Sequence, residues 1–180
     1  MTIKNGWLSS AEHQPSPHFS NREKEDSISL LVIHNISLPP KQFGGPYITD
    51  LFLGRLNPDD DPYFKDIYQL EVSAHCLIRR DGQIIQYVSF EDKAWHAGVS
   101  EYKGRSKCND FSIGIELEGA DDIPYTENQY IQLASLTRTL RHEYPNIENN
   151  LTGHSDIAPG RKSDPGEAFE WSYYFSLIES

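Results

Sequence analysis

Apolar positions follow two different patterns along this chain, and the change from one to the other defines the predicted elements. "ISLLVIHNIS" at 28–37 is a continuous β-branched and apolar run that ends in polar residues, the pattern of a strand buried on both faces. "SIGIELEG" at 112–119 alternates instead, with Ile113, Ile115 and Leu117 on one face and Gly114, Glu116 and Glu118 on the other, which predicts a half-buried strand. Two β-rich runs in "AHCLIRRDGQIIQYVS" (74–89) flank Asp81-Gly82, a pair that readily adopts the backbone of a tight hairpin turn. "NLTGH" (150–154) reads as a further short strand. Helical spacing is present in "YITDLFLGR" (47–55), and Pro62 suits the first turn of a helix over 62–70. Thr126 is placed as an N-cap for a long amphipathic helix that ends before Pro145, and a closing helix spans 166–180. Residues 1–27 carry Pro15, Pro17 and the charged run "REKED", and read as an irregular segment packed on the rest.

Strands and helices interleave around one firm hairpin. The predicted fold is therefore α/β (α+β): a single domain over 1–180 with a mixed central β-sheet flanked by helices. A chain of 180 residues can bury one real core, and its balance of 37% hydrophobic and 24% charged residues is that of a globular protein. Lys and Arg number 16 against 27 Asp and Glu, so the net charge of −11 argues against nucleic acid and against an anionic membrane surface as partners. No apolar run approaches the ~20 residues needed to cross a bilayer. The polar first thirty residues lack a secretory pattern, and Cys76 and Cys108 are too few for a disulfide framework. Together these predict a cytoplasmic protein.

The chain has no Gly-rich phosphate loop, CxxC pair, HExxH or GxSxG elbow. Histidines and carboxylates remain. His34 ends the first buried strand and His154 closes the "NLTGH" strand. A single histidine in such a place is more often hydrogen-bonded at the rim of the core. Two of them at strand ends, with acids beside the second, point to a metal, since zinc takes imidazole and carboxylate ligands and keeps a position for water. Spacing leaves the third ligand open. Asp156 lies two residues past His154, whereas Asp164 lies ten past it and needs the loop to fold back; either can equally be a turn cap beside Pro and Gly. Glu116 shares the polar strand face with Glu118, where it is either solvated or a general base. The pair, ~6–7 Å apart by strand rise, also permits glycoside cleavage. Lys162 is either a surface lysine or the cation for an oxyanion. His75 and His96, among aromatic neighbours, read as structural, and His13, His18 and His142 as surface residues.

Seven segments in one order, "GWLSSAEHQPSPH", "LLVIHNISLPP", "FGGPYI", "SAHCLIRRDGQIIQYV", "AWHAGVS", "CNDFSIGIELEG" and "TGHSDIAPGRKSDPG", closely resemble the zinc-dependent N-acetylmuramoyl-L-alanine amidases over nearly the whole chain. That family shares its fold with T7-type lysozymes and peptidoglycan recognition proteins. The resemblance implies one zinc ion per chain, held by His34, His154 and Asp164, which is how Asp164 is preferred over Asp156. It implies that Glu116 handles the proton of the attacking water and Lys162 stabilises the oxyanion. Asn35, Ala94 and Trp95 resemble positions lining the anhydro-sugar and lactyl-alanine part of the pocket. Lys107 and Glu71 stand where some relatives have arginines facing the stem peptide. The implied activity is hydrolysis of the amide between the lactyl group of 1,6-anhydro-N-acetylmuramic acid and L-alanine, in cytosolic muropeptide recycling. In some bacteria such recycling lowers the signal that induces a β-lactamase. The implied partner is a small anhydro-muropeptide, acted on by a monomer. A non-catalytic muropeptide sensor of the same fold is the rival reading, and such sensors typically lack a metal ligand that this chain has.

Overall fold

The computed structural model describes residues 1–179. A six-stranded mixed sheet forms its centre, in the spatial order Leu151–Gly153, Leu30–Ile36, Ser112–Glu118, Cys76–Ile78, Ile84–Gln86, Glu12–His13. The first four strands run parallel. Cys76–Ile78 and Ile84–Gln86 form the antiparallel hairpin predicted at Asp81-Gly82, with Ile78 opposite Ile84 and Gly82 at φ +92°. Four α-helices accompany the sheet among the described residues: α1 (Tyr47–Phe52), α2 (Glu127–Glu143), α3 (His154–Ile157) and α4 (Trp171–Glu179). Thr126 caps α2 as expected. Its hydroxyl accepts from the Gln129 N–H at 3.2 Å and the Gln129 side chain accepts from the Thr126 N–H at 3.0 Å.

The two faces of the sheet are packed differently. Leu31, Ile33, Ile113, Ile115 and Leu117 face a core built with Leu133, Leu136, Leu140, Tyr174 and Ile178 of α2 and α4. Leu30 and Val32, on the opposite face, pack against Ala97, Cys108, Phe111 and Ile157. Ser112–Glu118 is therefore buried along its whole length, not half-buried as its alternation predicted. Its polar residues Ser112, Glu116 and Glu118 are buried with the rest. Cys76 and Cys108 are both buried and unbonded.

Three further expectations are corrected. The helix predicted over 62–70 is a 3₁₀ turn, Pro62–Asp66, in which Phe64 alone is buried; one apolar contact does not sustain an α-helical face. The closing helix begins at Trp171, because Gly166 at φ +82° turns the chain and sends Phe169 into an aromatic cluster with Tyr125, Tyr130 and Tyr174; Ser180 lies outside the described residues. Residues 1–27 are not irregular throughout. Ile3–Lys4 pairs with Trp7–Leu8, Glu12–His13 adds the last strand of the main sheet, and Phe19–Asn21 pairs with Asp92–Ala94. Strands of two or three residues are too short to show a period. Arg22, from the charged run, ties this segment down: its guanidinium donates to the carbonyls of Phe90, Asn109, Asp110 and Ser112 at 2.7–3.3 Å.

Candidate active site

The three parallel strands that carry the candidate residues end together. Glu116 stands opposite His34 in register, so the two side chains leave the same face of neighbouring strands ~5 Å apart. Gly153 pairs with Ile33, which brings His154, the next residue, level with His34 at the carboxyl ends of the strands. Crevices at such ends are where open parallel sheets place their sites.

The loop after His154 does fold back. Ser155 N–H donates to the Asp164 carbonyl at 2.9 Å, closing the excursion. Asp164 Oδ2 then lies 3.1 Å from both His34 Nδ1 and His154 Nδ1, and those two nitrogens are 2.9 Å apart. Asp156 has a different task. Its Oδ2 accepts from the Gly153 N–H at 3.0 Å and the Thr152 hydroxyl at 3.1 Å, which caps α3 and points the carboxylate away from the histidines. The alternative that spacing left open is thus resolved in geometry: Asp164 joins the histidines and Asp156 caps the turn.

Two nitrogens and one carboxylate oxygen converging on a point make a chemical sense that a hydrogen-bonded trio does not. Donor atoms of His34, His154 and Asp164 all lie within 4.8 Å of one another. Ligands of a tetrahedral zinc at ~2.0–2.1 Å stand about 3.4 Å from each other, close to the separations found here. The second ring nitrogens also fit. His154 Nε2 donates to the Ala97 carbonyl at 3.1 Å, which leaves the Nδ1 lone pair for a cation. Burial keeps His34 neutral, with its pKa lowered to about 4 against the support of Asp164. Asp164 is held well below the usual carboxylate range: burial pushes it up, and its close contacts with the His154 and His34 rings outweigh this.

Beside this trio, Glu116 Oε2 is buried with no hydrogen-bond partner. Burial raises the Glu116 carboxyl well above its ordinary value; Asp164 adds to the rise and Lys162 opposes it. Glu118 is not its catalytic pair. The Glu118 carboxylate accepts from the Gly44 N–H at 2.6 Å and the Arg80 N–H at 3.1 Å, with Arg79 at 3.7 Å, so it staples loops and leaves no two-carboxylate glycosidase arrangement.

A cavity of about 860 Å³ opens over these groups, lined by Asn35, Trp95, Glu116, His154, Lys162 and Asp164 among others. Lys162 is exposed, and its charge reaches both His34 and Glu116. Asn35 is fixed by donating to Asp121 Oδ1 at 2.8 Å and the Pro165 carbonyl at 3.1 Å. Trp95 stacks on His18 with centroids 6.2 Å apart and donates to the Ser20 hydroxyl at 3.1 Å, so His18 is more than a surface residue. Ala94, Lys107 and Glu71 do not line this cavity. The Ala94 side chain is wholly buried in an apolar cluster with Leu38, Phe52 and Val88, and Lys107 follows the small hairpin Glu101–Tyr102/Arg105–Ser106 on the surface. Tyr63, Ile67 and Leu70 from the 3₁₀ turn and its sequel also line the cavity, a role that no sequence pattern announced.

Residues 24–167 match the family model described as N-acetylmuramoyl-L-alanine amidase. The chain belongs to the N-acetylmuramoyl-L-alanine amidase family. This amidase is 57% identical over 178 residues to 1,6-anhydro-N-acetylmuramyl-L-alanine amidase AmpD of Enterobacter cloacae, covering 99% of this chain and 95% of that protein. Its fold matches a crystal structure of a selenomethionine AmpD derivative with a TM-score of 0.97, at 57% identity and with 99% of each chain covered. It is also similar to AmpDH3 of Pseudomonas aeruginosa in complex with anhydromuramic pentapeptide, with a TM-score of 0.65, 28% identity, and coverage of 87% of this chain and 63% of that one. The single-domain mixed sheet with flanking helices is the amidase fold.

Proposed function

We propose that this amidase hydrolyses the amide between the lactyl group of 1,6-anhydro-N-acetylmuramic acid and the L-alanine of a stem peptide, using one zinc ion held by His34, His154 and Asp164. The observation that carries the reading is the convergence of His34 Nδ1, His154 Nδ1 and Asp164 Oδ2 beside the unpaired, buried Glu116 Oε2. When bound, zinc supplies Lewis-acid polarisation of the carbonyl and a water acidified toward neutral pH. Glu116 takes the proton of the attacking water and passes it to the departing alanine amine. A carboxylate made more basic by burial is suited to that work near neutrality. Lys162 brings its ammonium to the charge that develops on the carbonyl oxygen, a contribution of ~3 kcal/mol by analogy with oxyanion-hole donors. Asn35 and Trp95 hold the sugar and lactyl end, the first through its fixed amide and the second through its ring face.

The substrate chemistry is supported by the 57% identity to AmpD and by the anhydromuramic pentapeptide bound to the more distant AmpDH3. We place the reaction in the cytosol, in muropeptide recycling, which suits two buried cysteines left unbonded. Among the described residues no helix is long and apolar enough to cross a membrane. All the proposed groups come from one chain, so a monomer suffices. The test is zinc titration of chelator-treated protein with turnover followed in parallel. Activity should return at one equivalent in the natural sequence and not in Asp164→Ala; undiminished turnover by Asp164→Ala in zinc-free buffer would refute the reading.

A further inference from the structure

His34 presents Nδ1 toward His154 and Asp164, and its other nitrogen, Nε2, lies 2.8 Å from His96 Nδ1. We propose that His96 is a positioning residue of the metal centre: its Nδ1 accepts the His34 Nε2–H and thereby holds the His34 ring in the one tautomer and orientation that present Nδ1 to the cation. The inference rests on the metal reading above and adds a residue to it.

A neutral imidazole carries one proton on two nitrogens, and a ligating nitrogen must offer its lone pair. With Nδ1 given to the metal, the His34 proton sits on Nε2, and the atom facing it is His96 Nδ1. His96 must then carry its own proton on Nε2, which lies 3.1 Å from the Ser112 hydroxyl, a group able to accept it. Each ring thus fixes the next, from Ser112 through His96 to His34. His154 has a simpler arrangement, because its Nε2 meets the Ala97 carbonyl, which can only accept. A ring acceptor has to be held in register, and the structure holds His96 on every side. Asn109 Oδ1 accepts the backbone N–H groups of His96 at 3.2 Å and Ala97 at 2.8 Å. The His96 ring stands edge-on to His34, with centroids 4.9 Å apart at 89°. It lies over Gly114, where a Cβ would come within 2.4 Å of His96 Cγ, so only glycine leaves room for the ring. His75 closes the far side, centroids 5.8 Å away, itself oriented by the Gly114 N–H and the Asp92 carbonyl.

The test is zinc affinity by competition with a chromophoric chelator on the whole chain, for the natural sequence and for His34→Ala, His96→Leu and His96→Asn. His96→Leu should weaken zinc binding by about 10–100-fold. His96→Asn, whose carboxamide oxygen takes the place of Nδ1 and accepts, should recover most of that loss. If the natural sequence binds zinc no more tightly than His34→Ala, the metal reading itself fails. If the natural sequence binds and His96→Leu binds equally well, or if Leu and Asn weaken binding alike, His96 is only packing and the inference is overturned. Long-range proton–nitrogen NMR of the zinc-loaded natural protein decides the matter should a variant fail to fold. A proton on Nε2 and none on Nδ1 is expected for both His34 and His96, and a proton on His96 Nδ1 overturns the inference.

Discussion

Gly114→Ala probes how the polar stripe of the Ser112–Glu118 strand serves the site. Gly114 is not among the glycines with positive φ, so alanine is acceptable to its backbone and the effect is steric. The new methyl carbon would lie 2.4, 2.5 and 2.7 Å from His96 Cγ, Nδ1 and Cδ2. Carbon contacts settle at ~3.5–4.0 Å, so the ring must retreat by about 1 Å. Hydrogen bonds weaken beyond ~3.5 Å, and a retreat of this size away from His34 takes the 2.8 Å contact between His34 and His96 past that limit. Overpacking of this kind costs about 1–3 kcal/mol. Urea unfolding of the chelator-treated variant should show that loss, and zinc affinity should fall by about tenfold or more as His34 loses its partner. An unfolding free energy within about 0.5 kcal/mol of the natural sequence, together with unaltered zinc affinity, would refute the reasoning.

Three other outcomes are expected. Glu116→Gln should keep zinc affinity in a chelator competition while kcat falls by about 10²–10⁴, since only the proton transfer is lost. Lys162→Ala should lower kcat by about 10²–10³ with an unchanged unfolding curve, because the side chain is exposed and the missing ammonium acts only on charge developing in the reaction. His75 is held neutral by burial, its pKa lowered to about 3. The unfolded chain, with a histidine near ~6.5, binds more protons between those values, so His75 removes stability as pH falls through this window. Between pH 7 and 5 that amounts to about 2 kcal/mol, and a His75→Gln protein should show a pH slope flatter by that much in urea unfolding of the chelator-treated form.

Much of this fold was legible because its longer elements carry strong local signals. The Asp81-Gly82 hairpin, the Thr126 cap and the apolar run through Leu30–Ile36 each show a turn, a cap or a period within one window. What was missed lies in contacts between distant segments. The stripe Ser112, Gly114, Glu116, Glu118 has the composition of a solvated face, yet the His96 ring covers Ser112 and Gly114, the Gly44 and Arg80 N–H groups hold Glu118, and no periodicity of the strand alone records those contacts. Gly114 was the available clue, since glycine inside a strand marks a close approach. His96 has only aromatic neighbours in sequence to mark it as structural, and its ring touches His34 directly. Asp164 over Asp156 came from family likeness, because ten residues of loop can close in many ways, and the Ser155–Asp164 backbone bond that closes this one is not written in spacing. Ala94 and Lys107 came from the same likeness; the first faces the core and the second the surface, away from the cavity wall.

The central claim is a zinc-dependent cut at one amide, and mass spectrometry of an anhydro-muropeptide digest tests it most directly. The account predicts intact anhydro-sugar and intact stem peptide beginning at L-alanine, lost on chelation and restored by zinc. Cleavage between sugars, or release of peptide that persists in chelator with Asp164→Ala, would contradict it.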